Sequence, residues 1–209
     1  MQFTKDATVY SADLENIGRI THIVFKPRSR QVTHIVVRRG LFFAKDSVIP
    51  LAMFRNALPR MAALYDNAEA LQDLPTFREA IYVPVEPERS GLTMEPMGNE
   101  GGFYVNDPAS QAPKYVKQVK QNVPDDSVVL RTGARVVSED HHTLGHLYSI
   151  KVDSQTQHIT HIDISQGFLW KTYRRFPAFW CQFVDENQVI VPAKAATLNA
   201  LEAYYRTEG

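Results

Sequence analysis

Short apolar runs alternate with polar turns along most of the chain. Arg19 to Phe25 ends in the branched and aromatic run Ile23-Val24-Phe25, Lys26 to Arg30 is polar, and Val32 to Val37 is again rich in branched residues. Runs of this kind bounded by Pro, Gly and Ser predict strands joined by turns. Ahead of them, Ser11 to Gly18 reads as a polar turn ending in a glycine, which can take positive φ or admit a close backbone approach. After them, Arg39-Gly40 turns, and Leu41-Phe42-Phe43 and Ser47-Val48-Ile49 continue the sheet. Pro50 cannot donate to a ladder and belongs at a strand end or edge. Beyond it the period changes. Asp66 and Glu69 have the spacing of a capping box, which predicts a helix holding Leu71 and Leu74 and stopping before Pro75.

The same order then recurs. A shift of 127 residues aligns 7–77 with 134–204 without a gap, and 14 of 71 positions are identical. Ordinary residue usage would give roughly four. Ser11, Asp13 and Gly18 match Ser138, Asp140 and Gly145; Thr33-His34-Ile35 matches Thr160-His161-Ile162; Gly40 matches Gly167 and Pro50 matches Pro177. Ala68, Leu71 and Leu74 match Ala195, Leu198 and Leu201, and the second copy is expected to end in a helix over about 193–205. Between the copies, residues 84–124 hold six of the 12 prolines and four of the ten glycines without periodicity, which reads as a linker. The expected organisation is a first domain at 1–83, a linker at 84–124 and a second domain at 125–209.

The ordered set of polar turn, glycine, strand, turn, Val-Thr-His-Ile-Val-Val, glycine, aromatic pair and Val-Ile-Pro resembles the PRC-barrel family, over 3–83 and again over 128–206. That resemblance implies a mainly β chain made of two small antiparallel PRC-type β-barrels, each followed by a short helix. It also implies an adaptor or assembly role with no shared catalytic residue set. The second copy departs from the pattern, reading Arg175-Phe176-Pro177 where the first has Val48-Ile49-Pro50.

Composition narrows the function. The 23 basic and 23 acidic residues cancel, which argues against broad nucleic-acid binding, because that needs excess Lys and Arg to displace counterions. A single cysteine, Cys181, excludes an intramolecular disulfide and suits a reducing cytoplasm. No apolar run approaches the ~18 residues of a membrane span. Nucleophile elbows, phosphate loops and paired catalytic carboxylates are missing from the sequence, and nothing marks a cofactor site. An enzyme is not expected.

His34 and His161 are equivalent by the repeat and sit mid-strand, so they read as half-buried structural residues; a metal site needs three or four converging ligands. His141, His142 and His146 cluster at a turn and read as solvated. Arg28, Arg30, Arg38 and Arg39 fall in turns at opposite ends of the Val32–Val37 strand, roughly 20 Å apart at about 3.3 Å per residue. The richest stretch is 168–180, with six aromatic and three basic residues in 13 positions. Aromatic and Arg enrichment marks the centres of protein interfaces. Within it, Trp170, Tyr173, Arg174, Arg175 and Trp180 form the candidate interaction surface, with an Arg beside an accessible ring. The leading expectation is a non-enzymatic adaptor acting through protein–protein contacts, and the alternative is an RNA- or ribosome-associated processing factor. The sequence names neither the partner nor an oligomeric state.

Overall fold

A computed structural model describes residues 1–40, 45–84, 115–167 and 171–199. The expected strand at Leu41-Phe42-Phe43, the middle of the expected linker (85–114) and the end of the last helix (200–209) lie outside the described residues.

The protein is mainly β. In chain order the first copy supplies β1 (Gln2–Thr4), β2 (Thr8–Tyr10), β3 (Asn16–Phe25), β4 (Val32–Arg39), β5 (Lys45–Pro50), β6 (Phe54–Ala57) and β7 (Met61–Leu64). Next come β8 (Arg78–Pro84) and β9 (Tyr115–Gln121). The second copy supplies β10 (Val128–Arg131), β11 (Arg135–Ser138), β12 (Thr143–Val152), β13 (Ile159–Gln166), β14 (Thr172–Pro177), β15 (Gln182–Asp185) and β16 (Gln188–Val191), followed by α1 (Ala195–Asn199). The first sheet runs β5-β4-β3-β2-β7-β6 and the second β14-β13-β12-β11-β16-β15. Among the described residues no ladder joins β5 to β6 or β14 to β15, so each sheet is open along its path.

The ladders repeat with the sequence. Gly18 pairs with Val9 and Gly145 with Val136, each near the start of a ten-residue strand. Both glycines have φ near +145°, and a Cβ there would collide with the carbonyl of Arg38 or of Ser165. Glycine is therefore required twice by the same close approach. Pro50 and Pro177 both end a strand and open a single 3₁₀ turn, Leu51–Met53 in one copy and Ala178–Trp180 in the other.

The two copies complete one another's sheets. One edge of β3 is covered by β4; the other is split between β2 of its own copy, over Asn16–Arg19, and β10 of the second copy, over His22–Phe25. In return β1 of the first copy pairs with β12 of the second. The exchange is symmetric: Phe3 faces Ile150 as Leu130 faces Ile23. Lys5 N–H donates to the Tyr148 carbonyl at 2.7 Å as Thr132 N–H donates to that of Thr21 at 2.8 Å. Across the centre, Val32 N–H donates to the Gln157 carbonyl and Ile159 N–H to that of Arg30. Without the other copy, half of a central strand would leave its backbone groups unpaired, which is costly once buried.

Residues 1–77 and 122–209 accordingly form one compact unit, and its main core draws Phe3, Ile23, Ile35, Ile49 and Phe54 from the first copy and Leu130, Ile150, Ile162 and Phe176 from the second. Residues 78–121 are a separate unit in which β8 and β9 form a two-stranded antiparallel ribbon. The chain leaves the first unit at Phe77 and rejoins it at Asn122, whose N–H donates to the Phe77 carbonyl at 3.0 Å.

The expected capping box does not form. Asp66 is not the cap; the helix is one 3₁₀ turn, Glu69–Leu71, preceded by Ala68, and Asp13 Oδ1 accepts the Ala68 N–H instead. Asp140 Oδ1 likewise accepts the N–H of Ala195, the first residue of α1, at 3.0 Å. A carboxylate from the duplicated Ser-x-Asp turn thus satisfies an orphan helix donor from 55 residues away, a partner that local spacing cannot reveal.

Candidate interaction surface

The candidate residues do not share one face. Successive strand residues point to opposite sides of a sheet, and β14 carries Tyr173, Arg174 and Arg175 in sequence. Tyr173 is buried, 5% exposed, with its ring 4.7 Å from that of Tyr148 on β12. The expectation of an accessible Tyr173 is corrected: its cross-sheet partner, Tyr148, stands 25 residues earlier in the sequence and covers it. Trp170 lies outside the described residues.

Both arginines are engaged. Arg174 is half-buried and donates to Gln166 Oε1 at 2.7 Å. Arg175 holds Asp163, directly opposite on β13, through two hydrogen bonds of 2.7 and 3.1 Å. Asp163 is fully buried and also accepts from Ser149 Oγ, which in turn accepts from the Gln2 amide. The carboxylate has three donors, so the network is satisfied without a ligand. The expected ring of Trp170 lies outside the described residues, so of the three rings the sequence offered beside these arginines the structure describes Tyr173 and Trp180.

Trp180 remains, joined by a residue that the candidate set omitted. Phe179 is 69% exposed and Trp180 40%, their rings edge to face with centroids 6.1 Å apart. They sit in the 3₁₀ turn that Pro177 opens and border a groove of about 350 Å³ completed by Val191, Pro192, Ala193 and Leu198. The turn forms because Pro177 fixes its own φ at −57° and the Cys181 N–H closes on the Ala178 carbonyl. The same turn in the first copy carries Ala52 and Met53. The repeat alignment therefore held the signal for Phe179, since only a side-by-side reading shows alanine replaced by phenylalanine on a retained turn.

The remaining candidates are structural or solvated. His34 is half-buried opposite Pro50 and its Nδ1 has no hydrogen-bond partner among the described residues; burial lowers its pKa below the usual histidine value. His161 faces Pro177 in the same way. His141, His142 and His146 are exposed, and His142 pairs with Asp140 at 3.2 Å. Among the described residues no three His, Cys, Asp or Glu side chains converge on one point. Cys181 is buried, and burial pushes its thiol up to about 12 against the opposing charge of Arg30, so a thiolate is scarce at neutral pH. Arg38 is paired with Asp46 at 2.9 Å, and Arg39 donates to the Leu71 carbonyl at 2.7 Å. No helix among the described residues is long and apolar enough to cross a membrane.

No curated protein matches the chain. Residues 5–61, from the turn after β1 to the first residue of β7, match the PRC-barrel domain family, and the first copy is accordingly similar to a PRC-barrel domain.

Proposed function

We propose that the protein is a non-enzymatic binding or assembly protein built from two PRC-type modules, and that it takes a protein partner on the second copy at Phe179 and Trp180. The observation that carries this reading is the exposed aromatic pair beside a groove, on a turn where the otherwise equivalent first copy has Ala52 and Met53. A scaffold retained with one face altered is the pattern expected of a site grafted onto a fold. Exposed Trp next to a concave apolar wall is the chemistry of interface hot spots. The matching registers of the two sheets support reading the second copy as the same module as the first. A buried, poorly ionised thiol and the scarcity of converging titratable groups favour binding over catalysis, and a lone reduced cysteine suits the cytoplasm.

The RNA-associated alternative loses part of its cationic surface, because Arg38, Arg39 and Arg175 are all committed within the fold. Affinity capture on the intact protein from its source cells, compared with Phe179→Ala/Trp180→Ala, tests the proposal. A protein retained at high salt by the wild type and lost from the double variant, with Tm nearly unchanged, is the expected result. Salt-sensitive capture of RNA by both proteins would overturn it in favour of the alternative.

A further inference from the structure

The symmetry between the copies fails at one place in a way that opens a cavity. Phe54, at the start of β6, is 2% exposed and packs edge to face against Phe3, ring centroids 5.4 Å apart. The positions 127 residues on are Cys181 and Leu130, both smaller. Volume is therefore lost where β15 begins, and a cavity of about 250 Å³ lies there, lined by Phe25, Pro27, Arg30, Cys181, Gln182 and Phe183. Its walls come from both copies, with Phe25 and Phe183 edge to face at 4.8 Å.

One lining side chain is charged. Arg30 is half-buried at the turn before β4, and its guanidinium has neither an ion pair nor a hydrogen bond among the described residues. The corresponding residue in the second copy is Gln157, which is neutral and accepts a hydrogen bond from Gln31. Both residues hold the same left-handed backbone, φ 58° and 62°. The turn geometry is thus common to the copies, while the charge belongs to the first copy's turn and lines the cavity.

We infer that this cavity is a binding site for a small organic anion, a carboxylate on a flat apolar body of about benzoate size. The guanidinium supplies the fork that a carboxylate accepts in two hydrogen bonds. Phe25, Phe183 and the un-ionised Cys181 supply an apolar seat, and the volume admits one ring. Arg30 and Gln182 are the two polar side chains of the lining, and a few placed polar groups beside apolar walls are what fix a ligand's orientation in a pocket. Because both copies contribute walls, the ligand tightens the association of the two halves. The inference is independent of the partner surface at Phe179 and Trp180.

Benzoate titrated into the full-length protein, followed by backbone amide NMR, tests it. Saturable shifts confined to Arg30 and Cys181–Phe183 are expected in the millimolar range, with benzamide, the neutral isostere, binding at least about tenfold more weakly. Arg30→Gln installs the residue the second copy already carries in this backbone conformation, and should weaken benzoate by a similar factor without shifting Tm. Cys181→Phe fills the cavity with the side chain of Phe54 and should abolish the shifts. Equal binding of benzoate and benzamide, unchanged affinity in Arg30→Gln, or no saturable shift with millimolar benzoate would each overturn the inference.

Discussion

On the sheet face turned away from the main core, the first copy places Val24, Val36 and Val48, joined by Val129 from the exchanged strand. The second copy places Lys151, Asp163 and Arg175, joined by Gln2. The registers are the same, residue for residue. In the first copy the four valines are buried with Phe77 and Val123, and the buried polar side chain of His22 lies beside them, its ring 5.0 Å from that of Phe77 and its Nε2 2.9 Å from Glu186. In the second, Asp163 is buried but every lone pair of interest is met by Arg175 and Ser149. The inward face, Ile23, Ile35 and Ile49 against Ile150, Ile162 and Phe176, stays apolar in both. The fold is held by one face and by the exchange of β1 and β10, and the opposite face is free to carry either chemistry.

That contrast can be broken at the exchanged strands first. Phe3 is fully buried on a three-residue strand that joins the other copy's sheet, so Phe3→Ala should cost about 3–5 kcal/mol in urea unfolding. A cost below about 1 kcal/mol would mean that β1 is peripheral rather than shared core.

The charged face comes next. Removing one member of a buried pair costs about 3–5 kcal/mol when the other is stranded, but Arg175 is 40% exposed and can turn to water. Asp163→Ala should therefore cost less, roughly 1–2 kcal/mol. The double change Asp163→Val/Arg175→Val writes the first copy's residues into the second and should fall within about 1 kcal/mol of wild type, since apolar replacements of ion pairs are often neutral. A double variant as damaged as the single would show that the second face cannot be made dry.

The smallest effect is the pH dependence of the two Ser-x-Asp turns. The Ser11 and Ser138 hydroxyls, then the Ala68 and Ala195 N–H groups, lower the Asp13 and Asp140 pKa values below the usual carboxylate value of 3.8. A folded pKa below the unfolded one contributes stability that is present above the unfolded value and is lost as pH falls through the folded one. Asp13→Asn and Asp140→Asn should flatten thermal stability below about pH 4, by similar amounts in each copy. If one copy alone responds, the two turns are not equivalent.

How much of this could be read from the sequence depends on whether the cause is local. Gly18 and Gly145, Pro50 and Pro177, and the strands around Val32 and Ile159 were legible because a close approach, a missing N–H or a run of branched residues acts through the backbone itself. The exchange of β1 and β10 was not. A repeat shows which residues are equivalent, but it does not show which copy's sheet they join, and neither strand carries an identical residue to flag it. Asp66 resembled a cap by spacing, yet Asp13 reached Ala68 from across the fold. Tyr173 looked free because its cover, Tyr148, is distant in sequence, while Phe179 was hidden among six aromatics until the turn placed it outward.

The reciprocal strands β1 and β10 make the two copies fold as one unit. Leu130→Ala, a change in the second copy whose side chain completes the first copy's sheet, tests it most directly by native-state hydrogen exchange. Amides of β3–β4 and of β12–β13 should lose protection together and by the same free energy, about 2–5 kcal/mol for a buried Leu. Protection lost in β12–β13 while β3–β4 exchanges as in the wild type would contradict the claim and make the copies independent domains.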